Sequence, residues 1–364
     1  MSGTIVILAN NSGGLYHFRG MLMSELVKRG NTVVAMTPFD SDISEIQDLG
    51  VELINTPINR RGINPGEDIK LLKNYKNRLK MLQPDMVITY TIKPNIYGGF
   101  VCRMLKIPYA VNITGLGTAF QKKGMLRRAV TAMYKIALKK ADIVFFENEE
   151  NRQIFLRKKI VREQKTCLLM GAGVDLERFQ VCEYPRESGS IRFLFIGRVM
   201  KEKGIDELFC AMRMLRSDGI DCILDVVGEC EEDYSAEIEI REKEGWLNYH
   251  GYQKDVRPFI EAAHCFVLPS WHEGMANTNL ECAAMGRPVI TSNIHGCMEA
   301  VENGVSGYLC QKQNADDLYQ VMKRFSRLPY DERKSMGLAG RKRMEELFDK
   351  VKVVKKTITS IGMR

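Results

Sequence analysis

Two carboxylates and two cations stand out by type and spacing. Glu273 and Glu281 lie eight residues apart in "SWHEGMANTNLECAAMGRPVITS" (270–292), around a small-residue turn. An acid withdrawn from water is costly unless a donor meets it. An ionised carboxylate only accepts hydrogen bonds, so such a pair suits ligand hydroxyls. Arg198 and Lys203 lie in "FIGRVMKEKGIDEL" (195–208), where a strand ending at Gly197 runs through a short loop to a helix beginning near Gly204. A guanidinium fork and an ammonium point charge both suit phosphate oxygens, and a helix start adds backbone donors. A solvated basic loop fits those two cations equally well. Residues 265–270 deliver the loop "SWHEG" to a helix expected to start near Thr278 or Asn279. The amides of Ala276, Asn277 and Thr278 should then point out of the helix start. Glu281 would lie in the first turn, where negative charge is favoured, and the plain alternative is that it only stabilises that turn. Hydroxyl acceptors beside phosphate-binding cations fit one ligand that carries both groups, a nucleotide sugar.

These residues need strand ends to hold them. Short apolar runs alternate with helical patterns: 4–9, 32–37, 51–56, 86–90, 109–114, 143–148 and 166–171, then 191–197, 222–228, 248–251, 265–270, 288–293 and 307–310. Continuous apolar strands alternating with helices imply parallel sheets covered on both faces. The stretch "EYPRESGS" (183–190) reads as a linker. The expected fold class is α/β: two doubly wound Rossmann-like domains facing each other across a deep cleft. The expected divisions are an acceptor- and membrane-facing domain 1–182, the linker 183–190, a nucleotide-sugar domain 191–340, and a helical segment 341–364 packing back toward the first domain. Ligands in such sheets sit beyond the carboxyl ends of the strands, which is where the candidate residues fall.

The 364 residues carry a net charge of +8 with 45% hydrophobic and 27% charged residues, ordinary globular values. Ten scattered cysteines without Cys-x-x-Cys spacing and five dispersed histidines give no zinc pattern and fit a reducing compartment. The amino terminus lacks a signal-peptide pattern, and no run of 18 apolar residues is present. A cytoplasmic protein is expected. Residues 1–182 carry a net +11 and residues 183–364 a net −3, so an anionic surface should meet the first half. A helix is expected over "KKGMLRRAVTAMYKIALKK" (122–140), with Arg127, Arg128, Lys135 and Lys139 as membrane-facing cations. Met125, Ala129, Met133 and Ile136 form an apolar stripe expected to pack on the sheet. A further basic cluster follows at Arg157, Lys158, Lys159 and Arg162. No stacking array or recognition motif accompanies this charge, so a nucleic-acid partner is not expected. In "ILANNSGGLYHFRG" (7–20) a strand is expected to enter a Gly13–Gly14 loop, since glycine lets a backbone approach a ligand closely. A tight turn is the plain alternative, and no dinucleotide fingerprint is complete there.

In its second half the chain resembles family 4 glycosyltransferases, retaining enzymes of the GT-B fold. The resemblance rests on the Glu-x7-Glu pattern at Glu273 and Glu281, "CAAMGRPVITS", "GRVMKEKG" and "GCMEAVENGVSGYL" (296–309). In the first half, "YTIKPNIYGG" (90–99), "NITGLGTAF" (112–120) and "ENEENRQIF" (147–155) resemble the bacterial capsule and O-antigen subgroup. The resemblance implies roles. Glu273 holds the transferred sugar, Glu281 the ribose, and Arg198 and Lys203 the diphosphate, with Gly13 and Gly14 closing over it. Gly197, Gly274, Met275, Ala276, Asn277 and Thr278 line the donor, and the base lies near Tyr252. Tyr16, His17, Asn112, Thr114 and Gly115 belong to the acceptor or sugar side, although His17 fits a packing role equally. Many relatives carry His-Gly where this chain has Thr114-Gly115, which leaves the donor sugar open. No metal or other cofactor is implied; the nucleotide sugar is a substrate. The implied activity is transfer of a hexose or N-acetylhexosamine, with UDP as the expected nucleotide, to a polyprenyl-diphosphate-linked saccharide. It would occur at the anionic cytoplasmic face of the inner membrane. A sugar-nucleotide epimerase and a non-catalytic protein of anionic surfaces are the alternatives.

Overall fold

The computed structural model describes residues 3–59, 64–116, 124–186 and 189–362. They form two compact units, Met1–Ala172 with Val351–Arg364, and Gly173–Lys350. The first is built on strands β1 (Thr4–Leu8), β2 (Thr32–Thr37), β3 (Glu52–Asn55), β4 (Met86–Tyr90), β5 (Tyr109–Ile113), β6 (Ile143–Phe146) and β7 (Thr166–Leu168). They pair in parallel in the order β3-β2-β1-β4-β5-β6-β7. The second has β8 (Ile191–Ile196), β9 (Cys222–Val227), β10 (Leu247–Tyr249), β11 (Cys265–Leu268), β12 (Val289–Ser292) and β13 (Gly307–Cys310), in the order β10-β9-β8-β11-β12-β13. Every expected strand is present, and each sheet is parallel and covered by helices, as its apolar runs require.

Side chains alternate across a strand, so β1 serves two cores. Val6 and Leu8 join Tyr75, Val87 and Tyr134 on one face. Ile5 and Ile7 join Leu22, Val33 and Ile88 on the other. The carboxy-terminal helix Lys350–Ser360 closes this second face through Val353, Val354 and Ile358.

The division between units departs from the expected one. It falls at Ala172–Gly173, well ahead of 183–190. That polar stretch is fastened into the second unit, although residues 187 and 188 lie outside those described. Tyr184 is buried and its hydroxyl donates to the His264 carbonyl at 2.8 Å. Arg287, buried in "GRPVITS", donates to the carbonyls of Ile260 (3.0 Å), Glu183 (2.7 Å) and Glu261 (2.9 Å). Residues 341–349 likewise belong to the second unit.

Both sheets reverse their winding order at one place, between β1 and β4 and between β8 and β11. A crevice opens at such a switch point, outside the carboxyl ends of the strands. In the second unit the loops there are those after Ile196 and after Leu268, which carry Arg198, Lys203 and Glu273.

The helix expected over 122–140 spans Met125–Ala137, followed by a turn over Leu138–Lys140; Lys122 and Lys123 lie outside the described residues, as do 117–120 of the "NITGLGTAF" motif. Its buried residues are Val130, Tyr134 and Ala137. Of the apolar stripe expected to pack on the sheet, Met133 packs half-buried against the core, whereas Met125, Ala129 and Ile136 turn outward, Met125 and Ile136 being 86% and 50% exposed. Packing selected the face bearing the aromatic ring and the β-branched side chain. The outward stripe lies beside Arg128, Lys135 and Lys139, all exposed. Among the described residues no helix is long and apolar enough to cross a membrane.

Arg287 is an enclosed cation compensated by carbonyls drawn from three segments. Its replacement by methionine keeps the volume and orphans those acceptors. Arg287→Met is expected to lose at least about 1–3 kcal/mol of stability, the cost of a buried acceptor left unsatisfied, read as a lowered urea midpoint with an unchanged slope.

Candidate active site

Glycines bring the two strand-end loops of the second unit together. Gly204 has φ +76°, and a Cβ there would lie 2.1 Å from the Pro269 carbonyl oxygen. Only glycine fits that close left-handed approach. Beyond it the loops are bonded to each other: the Trp271 amide donates to the Glu202 carbonyl at 2.9 Å, and the Trp271 indole to Glu207 at 3.1 Å. Lys203 and Glu273 then face each other, Nζ to Oε1 at 2.5 Å, and the Ser270 hydroxyl donates to the same Oε1 at 2.8 Å. Both side chains remain partly open to solvent, 19% and 12% exposed. Gly296 backs the glutamate; with φ +92°, a Cβ there would come within 2.9 Å of the Glu273 backbone.

Arg198 follows β8 and Gly197, whose amide donates to the Val227 carbonyl at 2.9 Å. Val199 pairs with the segment after β9, accepting from the Glu231 amide at 3.1 Å. That pairing sets Glu231 against Arg198, and their side chains form a close ion pair. Arg198 is 54% exposed, so a competing anion can reach it. Tyr252, 63% exposed, projects just beyond Gly251, whose carbonyl accepts from the Gly228 amide at 2.8 Å. An exposed ring is thereby held near the end of β9.

Two expectations about the 273–281 stretch are corrected. The helix is Asn277–Ala284 with Ala276 as its cap, so it begins earlier than Thr278, and Glu281 lies beyond the first turn. The Ala276 amide is not a free donor: it bonds to the Gly296 carbonyl at 2.7 Å. Met275 and Ala276 are buried, whereas Gly274, Asn277 and Thr278 are partly open. The Asn277 Oδ1 is buried and lacks a hydrogen-bond partner among the described residues. Glu281 is half-buried. Burial pushes its carboxyl up to about 7, against the opposing pull of Lys350 and Arg178. A carboxyl held near neutrality and short of donors is ready to accept hydroxyls.

In the first unit, Gly13 and Gly14 do not form a loop. They lie in the first turn of the helix Ser12–Lys28, where a Cβ would meet Ser41 Oγ at 2.4 Å and Asn11 Oδ1 at 2.6 Å. The helix begins early because Asp40 accepts from the Ser12 amide at 2.8 Å. Tyr16 and His17 follow on that helix, with His17 Nε2 3.7 Å from Asp42. Asn112 is buried in β5; its carbonyl accepts from the Asn95 side chain at 2.9 Å, and its Oδ1 is unpartnered among the described residues. Thr114 and Gly115 follow β5 and are partly exposed.

Several motif residues hold structure. Glu147 forms a buried ion pair with Arg19, which also lies 4.7 Å over the Tyr90 ring, and Asn148 caps the helix Glu149–Arg157 through the Asn151 amide at 2.9 Å. Glu231 and Gly296 were missed. No spacing ties residue 231 to residue 198; only the pairing of segments after β8 and β9 does.

Residues 180–343 match the family described as glycosyl transferases group 1, and residues 5–148 match that described as glycosyl transferase 4-like. The chain is 28% identical over 351 residues to a Campylobacter jejuni protein, N,N'-diacetylbacillosaminyl-diphospho-undecaprenol alpha-1,3-N-acetylgalactosaminyltransferase, covering 92% of each. It is 25% identical over 303 residues to an Escherichia coli UDP-Gal:alpha-D-GlcNAc-diphosphoundecaprenol alpha-1,3-galactosyltransferase, covering 78% of this chain and 76% of the relative. Among solved structures, Anabaena HepE in complex with UDP and glucose superposes with a TM-score of 0.82 over 100% of both chains at 14% identity, a likeness of fold. With a glycosyltransferase family matched in each half and the parallel sheets that family requires, the chain belongs to the family 4 glycosyltransferases of the GT-B fold.

Proposed function

We propose that this glycosyltransferase moves a hexose or N-acetylhexosamine, with retention, from a UDP-sugar to a saccharide carried on a polyprenyl diphosphate. The observation that carries the reading is the convergence of Lys203, Glu273 and Arg198 at the switch point of the second unit. Two cations there suit a diphosphate, and the acids suit sugar and ribose hydroxyls. The two relatives named above act, by their names, on saccharides linked to diphospho-undecaprenol, and one uses UDP-Gal.

In this reading the diphosphate displaces Glu231 from Arg198 and settles against Lys203. Glu273, held by Lys203 and Ser270, accepts hydroxyls of the transferred sugar, and Glu281 accepts from the ribose. The acceptor hydroxyl oxygen bonds to the anomeric carbon from the face that the diphosphate leaves. The anomeric carbon–phosphate oxygen bond breaks, and the acceptor proton passes to the departing diphosphate. Arg198 and Lys203 stabilise the charge developing there, the task a divalent ion performs in other transferases. The outward Met125 and Ile136 beside Arg128, Lys135 and Lys139 suit an anionic membrane surface, where apolar insertion and headgroup attraction act together. That face would place the enzyme at the cytoplasmic side of the membrane that carries its acceptor.

The direct test is incubation with radiolabelled UDP-sugars and undecaprenyl-diphosphate-linked N-acetylglucosamine in anionic vesicles, with EDTA present. Label in the lipid fraction is expected, and an epimerised sugar from UDP-sugar alone would contradict the reading. Arg198→Ala should raise the donor KM at least ten-fold, in line with about 1.5–3 kcal/mol for a hydrogen bond to a charged group. Near-normal kinetics would remove Arg198 from the diphosphate site.

Donor binding should also release a proton. Glu281 is largely protonated below pH 7 in the free protein, and ribose hydroxyls favour its ionised form. Affinity for UDP-glucose should therefore weaken as pH falls below about 7. Calorimetry at pH 6 in buffers of different ionisation enthalpy should show most of one proton released, a release lost in Glu281→Gln. For stability the sign is opposite. A carboxyl raised to about 7 favours the folded state at low pH, and that contribution is lost as pH rises from about 4.5 to about 7.

A further inference from the structure

The motif "YTIKPNIYGG" is only partly consumed by structure. Asn95 is buried and ties β4 to β5, bonding the Thr89 hydroxyl at 2.7 Å and the Asn112 carbonyl at 2.9 Å. A Cβ on Gly98 would lie 2.6 Å from Leu8. The Tyr97 ring packs against the core, while its hydroxyl and the Lys93 ammonium both turn to one carboxylate. Lys93 Nζ lies 2.8 Å from Asp68 Oδ1, with each side chain 16% exposed, and the Tyr97 hydroxyl bonds to the same acid. The chain reaches Lys93 through Thr91, a β-branched residue at φ +71°, a conformation that persists only where its surroundings impose it.

Asp68 and Lys93 edge a recess of about 550 Å³ in the first unit, between the segment after β3, the helix Pro65–Leu82 and the residues after β4. The volume is that of a small-ligand cleft. Among the described residues its charged lining is Glu67, Asp68, Lys70 and Lys93, two acids and two cations that balance. Ile58 and Leu71 supply apolar wall. Asn74 lines it too, and the Asn74 Oδ1 is buried with no hydrogen-bond partner among the described residues. A buried acceptor beside a cavity calls for a donor. A second recess of about 700 Å³ in the same unit is different in kind: Arg127, Arg128, Lys135 and Lys158 line it, without an acid among the described residues.

We propose that the charge-balanced recess is the subsite for an uncharged saccharide residue of the acceptor. Asp68 and Lys93 hold its hydroxyls, and Asn74 Oδ1 accepts from a hydroxyl or amide N–H. The proposal rests on the reading of the acceptor as a lipid-linked saccharide. It adds Asp68, Lys93 and Asn74 as the residues that select that saccharide.

The test uses the full chain and methyl N-acetyl-α-D-glucosaminide as probe, with saturation-transfer NMR. Wild type should transfer saturation to the ring and acetamido protons, and sodium diphosphate should not displace the probe. Asn74→Leu leaves the Lys93–Asp68 pair intact, and Asp68→Asn removes its charge. Both should weaken probe binding at least ten-fold while UDP affinity stays within two-fold, which also shows that each variant is folded. In the transfer assay both should raise the acceptor KM at least ten-fold and leave the donor KM within two-fold. Probe binding unchanged in both variants, no binding to wild type, or displacement by diphosphate would overturn the proposal. Saccharide binding lost in the variants of a protein that transfers nothing would instead sink the transferase reading and leave the recess standing. Transfer with an unchanged acceptor KM in both variants would sink the recess alone.

Discussion

A lysine ammonium and a glutamate carboxylate, Lys203 and Glu273, meet at 2.5 Å where two strand-end loops of the second unit converge. Opposite charges this close set the geometry of everything around them. The contact requires Gly204 against Pro269 and Gly296 behind Glu273, because any side chain at either glycine would push a loop away. It also separates two chemical tasks. Glu273 would repel a phosphate if it stood alone, yet beside Lys203 it is compensated and can accept sugar hydroxyls. Arg198 and Glu231 repeat the arrangement at the neighbouring strand end, more exposed and so easier for a diphosphate to part.

The first unit distributes charge in another way. One basic cluster lies on the helix Met125–Ala137, the turn after it and the segment from Arg157, beside Met125 and Ile136, which face outward. Its balanced charges gather at the end of the helix Pro65–Leu82 nearest Lys93. One set suits anions and the other suits polyols, the two chemistries that the proposed lipid-linked saccharide would present. The buried Arg19–Glu147 pair and the Asn95 bonds do not face these tasks; they hold strand ends in position.

The thirteen strands were legible because strands buried on both faces are continuous apolar runs bounded by polar turns. The meeting of Lys203 with Glu273 was legible in part, because both follow strands at the edge where such sheets bind ligands, whereas a solvated basic loop fitted Arg198 and Lys203 equally well. What escaped the sequence depends on packing across distance. The polar run 183–190 reads as a linker until the carbonyl of Glu183 is found on the buried Arg287, over 100 residues away. Gly13 and Gly14 read as a loop until Asp40 is found starting the helix one residue before them. The apolar stripe of the helix Met125–Ala137 gives its period but not its direction, and Val130 and Tyr134 prevailed as the inward face. The Glu231 partnership with Arg198 arises from pairing beyond β8 and β9, which no local spacing records.

In the proposed reaction Lys203 and Glu273 act on the donor as one unit. A double-mutant cycle on UDP-sugar affinity, with Lys203→Met, Glu273→Gln and the pair together, tests it most directly. Removing Lys203 alone leaves Glu273 uncompensated beside the diphosphate, so the combined loss should fall short of the sum of the single losses by at least about 1.4 kcal/mol, a factor of ten. Losses that add within about 0.5 kcal/mol would show two independent residues and contradict the account.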